Sequence, residues 1–174
     1  SNLNINGVKA QLVYDSNVKY CVENLTLDNC KVNLASDEAT GVNGNAVVYF
    51  KGGFANTLSV SNSTFWNTGA SDAKYFVQYN NSGRATRAGY LNKYVIFQNN
   101  TFYNVAVKGQ WANYGGFAGQ KCSSFIVTDN IFSNCGSGQI ARRILGGRQA
   151  STYADGMVTF NNNTYMTKTL AEDN

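Results

Sequence analysis

Five segments of the chain obey one template: two apolar residues two positions apart, a polar corner, and a further apolar residue three positions beyond it. The clearest copy, 95–104, reads V-I-F-Q-N-N-T-F-Y-N, and the others are 25–32, 58–67, 125–134 and 158–167. Aligned without gaps, the first column is Leu25, Leu58, Val95, Phe125 and Val158. The second is Leu27, Val60, Phe97, Val127 and Phe160, and all ten residues are apolar in a chain that is 43% hydrophobic. Apolar residues two apart mark a strand that shows one face to a core. The corner column is Asn29, Asn62, Asn99, Asp129 and Asn162. A short amide or carboxylate side chain tolerates turn and left-handed backbone that bulkier residues resist. Val32, Phe65, Phe102, Phe132 and Tyr165 then return the chain to an inward apolar position on a second strand.

An abbreviated sixth copy stands at the start, where Leu3, Ile5, Gly7 and Ala10 fit the template with glycine at the corner. The copies begin at intervals of 22, 33, 37, 30 and 33 residues. Unequal spacing with a constant core pattern means that strands stack while the loops between them vary. The segment 12–24, rich in Val and Tyr, is expected to be largely extended. Each later interval carries one more apolar stretch, at 46–50, 75–79, 114–119 and 140–145, which makes three strands per repeat.

Three short strands per repeat, a fixed polar corner and loops of free length predict an all-β fold. The expected form is a right-handed parallel β-helix of about five to six coils, on the order of 25 Å tall at about 4.8 Å per coil. Its corner amides, Asn29, Asn62, Asn99, Asp129 and Asn162, are expected to form a hydrogen-bonded ladder. Phe65, Phe102, Phe132 and Tyr165 are expected to form an aromatic column. Sequons stand at Asn24, Asn62, Asn80, Asn99 and Asn162; most follow from a corner asparagine preceding strand-favouring threonine and are read as structural.

With 174 residues the chain is expected to be one domain, 1–174. It lacks proline and histidine. Its net charge of +4 comes from nine lysines and five arginines against ten carboxylates, without a basic run, which does not suit nucleic acid but allows an acidic polysaccharide partner. Cys21, Cys30, Cys122 and Cys135 have no C-x-x-C metal spacing and are expected to be buried or turn thiols. No stretch approaches the roughly 20 apolar residues of a membrane span, and the first residues do not read as a signal peptide. The chain is therefore expected to be soluble as given, either with a signal or lipid anchor removed or as the C-terminal part of a longer protein. A neighbouring domain at its N-terminal end would cover an otherwise open stack.

The L-x-V-x-N-x-T-F-x-N pattern at 58–67 and 95–104 resembles the pectate-lyase-like superfamily of right-handed β-helices. It is most similar to the short β-helix domains of secreted lipoproteins from glycan-foraging Gram-negative bacteria. The resemblance spans nearly the whole chain and implies an extracellular or outer cell-surface location beside pectin-degrading systems. Pectate lyases of that superfamily use calcium held by clustered carboxylates and an arginine or lysine base. Asp37 and Glu38 are adjacent in a loop, and Asp72 is a further weak calcium ligand; one hard-cation site needs six or more oxygens, so this pair alone is insufficient. The inverting hydrolases of the fold use grouped aspartates with a histidine, whereas Asp28, Asp72 and Asp155 are dispersed and histidine is absent.

All five arginines lie in two equivalent inter-repeat segments: Arg84 and Arg87 in one, Arg142, Arg143 and Arg148 in the other. Guanidinium groups suit carboxylates, and flat aromatic faces suit sugar rings. Arg84, Arg87, Arg142 and Arg148, with Tyr79, Tyr90 and Trp111, are thus the expected ligand-binding set, and Tyr94 is a further aromatic candidate. The long loop 80–94 has no phosphate cradle and no nucleophile arrangement, which favours binding over catalysis. The expected function is a non-catalytic module for pectin-like acidic polysaccharide, without cofactor. The alternatives are a calcium-dependent polysaccharide lyase and a structural or adhesive spacer. Ice binding fits poorly, because the outward column Thr26, Ser59, Ile96, Ile126 and Thr159 is mixed.

Overall fold

The computed structural model describes residues 2–8, 12–15, 22–34, 46–50, 55–68, 75–79, 94–105, 112–113, 124–135 and 158–166. Fifteen strands run through them: β1 (Leu3–Val8), β2 (Val13–Asp15), β3 (Val22–Asp28), β4 (Cys30–Leu34), β5 (Ala46–Phe50), β6 (Ala55–Ser61), β7 (Thr64–Asn67), β8 (Tyr75–Tyr79), β9 (Tyr94–Gln98), β10 (Thr101–Tyr103), β11 (Ala112–Asn113), β12 (Ser124–Thr128), β13 (Ile131–Ser133), β14 (Val158–Asn161) and β15 (Thr164–Met166). The described residues contain no helix.

The strands form three parallel sheets. A pre-corner sheet has the order β14-β12-β9-β6-β3, and a post-corner sheet the order β1-β4-β7-β10-β13-β15. The third sheet has the order β11-β8-β5-β2. From β1 to β13 successive strands visit the post-corner, third and pre-corner sheets in rotation.

The columns read from the sequence are columns of paired residues. Leu25, Leu58, Val95, Phe125 and Val158 are successive partners in the pre-corner sheet, as are Leu27, Val60, Phe97, Val127 and Phe160. Val32, Phe65, Phe102, Phe132 and Tyr165 are successive partners in the post-corner sheet. Parallel in-register pairing puts each side chain directly over its equivalent, so a size or polarity mismatch in one repeat would be felt by both neighbours. The core is accordingly a set of like-on-like stacks. Phe102 lies parallel to Phe65 at 5.5 Å and to Phe132 at 5.2 Å, and Phe132 parallel to Tyr165 at 5.5 Å. From the third sheet, Phe76 meets Phe65 and Phe102 edge-on at 4.7 and 4.8 Å. Offset and edge-on geometries of this kind each add about 0.5–1.5 kcal/mol beyond area burial.

Two expectations about strands change. β1 pairs with β4, placing Ile5 beside Val32 and Leu3 beside Cys30, so the first strand is a post-corner strand rather than the start of an abbreviated copy. Gly7, at φ 76°, is not the corner: it lies in a bulge between the Ile5–Val32 and Val8–Leu34 pairs, where β1 holds one more residue than β4. In the third sheet β5 and β8 coincide with the expected stretches, but the next strand is Ala112–Asn113, opposite Val77 and Gln78, ahead of 114–119. The stretches 114–119 and 140–145 lie outside the described residues.

Candidate functional site

The corner is made by one left-handed residue. Asn29, Asn62, Asn99, Asp129 and Asn162 all have φ between 50° and 58°, a region that costs other L-residues about 1–2 kcal/mol. Their backbone N–H groups bind the next repeat: Asn29 to the Ser61 carbonyl, Asn62 to Gln98, Asn99 to Thr128 and Asp129 to Asn161, at 3.0–3.2 Å. Their side chains are exposed. Asn99 Nδ2 donates to Asn62 Oδ1, Asn62 Nδ2 to Asp28 Oδ1, and Asn29 Nδ2 to Asn2 Oδ1, so the surface chain of amides is interrupted by a carboxylate.

The buried ladder lies one residue further on, at Ser63, Asn100, Asn130 and Asn163. Asn130 Oδ1 accepts from the N–H and from Nδ2 of Asn100, both at 3.0 Å. Asn163 Oδ1 serves Asn130 in the same way, and Asn100 Oδ1 accepts the Ser63 N–H. Each amide also donates to a backbone carbonyl of the preceding repeat: Asn100 to Val60, Asn130 to Phe97 and Asn163 to Val127. Toward the N-terminus the rung shrinks, with Ser63 Oγ accepting from the Cys30 N–H and donating to the Ser61 carbonyl. A second left-handed corner follows at Asn104 and Asn134, whose amides bond to each other at 2.7 Å. Cys30 and Cys135 are buried just after left-handed asparagines, and their thiols donate to the Asp28 and Ser133 carbonyls; Cys21 and Cys122 lie outside the described residues. These features hold the stack together.

Asp28 is fixed by the Ser61 hydroxyl and the Asn62 amide, both at 2.8 Å, which hold its carboxyl below the usual carboxylate range. An ionised, hydrogen-bonded carboxylate on an open surface is a poor general acid. Among the described residues no three His, Cys, Asp or Glu side chains come together as a metal site.

Of the residues singled out from the sequence, Arg84, Arg87, Arg142, Arg143, Arg148, Tyr90, Trp111, Asp37, Glu38, Asp72 and Asp155 lie outside the described residues. Tyr79 is described only as the last residue of β8, opposite Phe50. Tyr94 is exposed on the pre-corner sheet between Thr57 and Ser124.

The most distinctive described surface is the outer face of the post-corner sheet. Because Phe65 and Phe102 point into the core, the residues flanking them point out. One outward column is Lys31, Thr64, Thr101, Ile131 and Thr164, and the other is Asn33, Trp66, Tyr103, Ser133 and Met166. Trp66 and Tyr103 are paired residues on adjacent strands, about 4.8 Å apart at the backbone. Tyr103 and Met166 are each 49% exposed and Ile131 is 37% exposed. Threonine hydroxyls run beside the aromatic pair, and the Thr68 hydroxyl donates to Asn33 Oδ1 at the edge of the face. Lys31 is the one cation among the described residues, and neither outward column contains a carboxylate. The pre-corner sheet instead carries Asp28.

Trp66 and Tyr103 were not among the expected site residues. Their signal is the unassigned position of T-F-x-N, which is Trp in one repeat and Tyr in the next. No protein-family model, characterised protein or solved structure matches this chain. No helix among the described residues is long and apolar enough to cross a membrane.

Proposed function

We propose that this chain is a right-handed parallel β-helix of about five to six coils, pectate-lyase-like in form. It acts as a non-catalytic extracellular module that binds acidic, pectin-like polysaccharide. The observation that carries the reading is the outer face of the post-corner sheet: two aromatic side chains on adjacent strands, bordered by hydroxyls, with a cation and no carboxylate in the outward columns. A flat sugar ring presents C–H groups to an aromatic face and hydroxyls to its sides, so a rigid sheet bearing both suits a polysaccharide. The rotation of strands through three sheets and the stacked corner asparagines support the β-helical form. Arg84, Arg87, Arg142 and Arg148 supply further positive charge in the inter-repeat segments.

The test is affinity electrophoresis in gels containing polygalacturonate, with and without calcium, alongside absorbance of unsaturated product. The expected result is retardation that Trp66→Ala with Tyr103→Ala abolishes, and no growth in absorbance. Growing absorbance would replace this reading with a lyase. Unretarded mobility across acidic and neutral glycans would leave a structural spacer.

A further inference from the structure

We infer that the outer edge of β3, at 24–28, is a docking site for an extended polypeptide partner, which adds one parallel strand to the pre-corner sheet. The end of the stack that holds β1 and β3 is stepped. Elsewhere each corner joins a pre-corner strand to a post-corner strand in one rung: β3 to β4 at Asn29, β6 to β7 at Asn62, β9 to β10 at Asn99, β12 to β13 at Asp129 and β14 to β15 at Asn162. Beyond Asn29 the rung is half made. Leu3 pairs with Cys30, so Asn2 takes the corner position, and its Oδ1 accepts the Asn29 amide at 2.6 Å. β1 supplies the post-corner half, but among the described strands none lies beside β3 on the side away from β6. The pre-corner sheet therefore stops one strand, about 4.8 Å, short of the post-corner sheet.

The step shows in the burial of its column. Leu25 is half-buried, whereas Leu58, Val95 and Phe125, its successors in the stack, are fully buried. Leu3, which follows the corner and flanks the step, is 46% exposed. A strand edge carries N–H and C=O groups that pair with an added segment of matching direction and register. The depth of the step selects the occupant. A helix, about 10 Å across, is too thick for it. A second copy does not fill it either: β14 and β15 end flush at Asn162, so a copy seated on β1 leaves the space beside β3 open. One extended strand fits. The columns specify its side chains: apolar residues two apart to stack on Leu25 and Leu27, as Leu58 and Val60 do from the other side. Opposite Asp28 a hydroxyl or amide is required, as Ser61 and Asn62 supply from the β6 side, because a carboxylate there would repel it.

The experiment titrates the intact chain into a fluorescein-labelled peptide, A-N-T-L-S-V-S, which has the sequence of 55–61 and meets these requirements. Its control is the isomer A-N-L-T-V-S-S, in which the apolar residues are moved by one position and face away from the core. Fluorescence anisotropy is expected to show the first peptide binding about tenfold tighter than the second. Amide hydrogen exchange is expected to slow at 22–28 and not at 158–166. Leu25→Ser is expected to remove most of the difference between the peptides, and its urea midpoint checks that it is folded. Equal binding of the two peptides, protection confined to 158–166, or no binding of either at millimolar peptide would overturn the inference. So would self-association in sedimentation velocity that protects 22–28 without peptide, which would make a second copy the occupant.

Discussion

Truncating Asn130 to alanine should cost about 3–5 kcal/mol, a large share of the roughly 5–15 kcal/mol that stabilises a typical domain. Its side chain is fully buried and makes four hydrogen bonds: it accepts the N–H and Nδ2 of Asn100 and donates to the Phe97 carbonyl and to Asn163 Oδ1. After truncation the Asn100 N–H has lost its acceptor inside the core, at about 1–3 kcal/mol. The other bonds are worth about 1 kcal/mol each, partly offset because Asn100 Nδ2 keeps the Val60 carbonyl and Asn163 Oδ1 keeps the Asn130 N–H. The neighbouring corner residue provides the contrast. Asn99 is exposed, at φ 55°, and its amide makes one surface bond to Asn62. Asn99→Gly should therefore cost only a few tenths of a kcal/mol, since glycine adopts that φ freely, whereas Asn99→Ala should cost about 1–2 kcal/mol in backbone strain. Equilibrium urea unfolding followed by tryptophan fluorescence measures all three. A cost below about 1 kcal/mol for Asn130→Ala, or one for Asn99→Gly as large as that for Asn130→Ala, would refute the division into an inner ladder whose buried side-chain bonds carry stability and an outer corner whose left-handed backbone matters more than its exposed side-chain bond.

Phe102→Ala removes a ring stacked between Phe65 and Phe132 and touched edge-on by Phe76, so a loss of about 3–5 kcal/mol is expected in the same assay; a loss near 1 kcal/mol would mean that the column collapses around the gap. Asp28, held below the usual carboxylate pKa first by Ser61 and then by Asn62, stabilises the fold fully above about pH 4 and loses that contribution as pH falls through its lowered folded value. Asp28→Asn should therefore flatten the fall in urea midpoint between pH 5 and pH 3, and parallel acid limbs for the two proteins would contradict this.

The template was legible because parallel in-register stacking repeats each local choice. Leu25, Leu58, Val95, Phe125 and Val158 share a column in the sequence and in the sheet for one reason: each packs on the next. The first strand was misplaced because Leu3 and Ile5 satisfy the two-residue period of either strand type, and only pairing with β4 separates them. The expected arginine and carboxylate sites lie in 35–45, 69–74, 80–93 and 136–157, outside the described residues.

The sequence by itself determined the corner, the apolar columns and their register, because period-two alternation and left-handed asparagine are local properties of the chain. Tertiary structure decided which of two consecutive corner residues faces inward. A left-handed residue shifts the alternation by one, so Phe97, Asn100 and Phe102 point in while Asn99 does not. It also decided that Trp66 and Tyr103, 37 positions apart, become neighbours on one outer face, since that adjacency exists only once β7 and β10 pair.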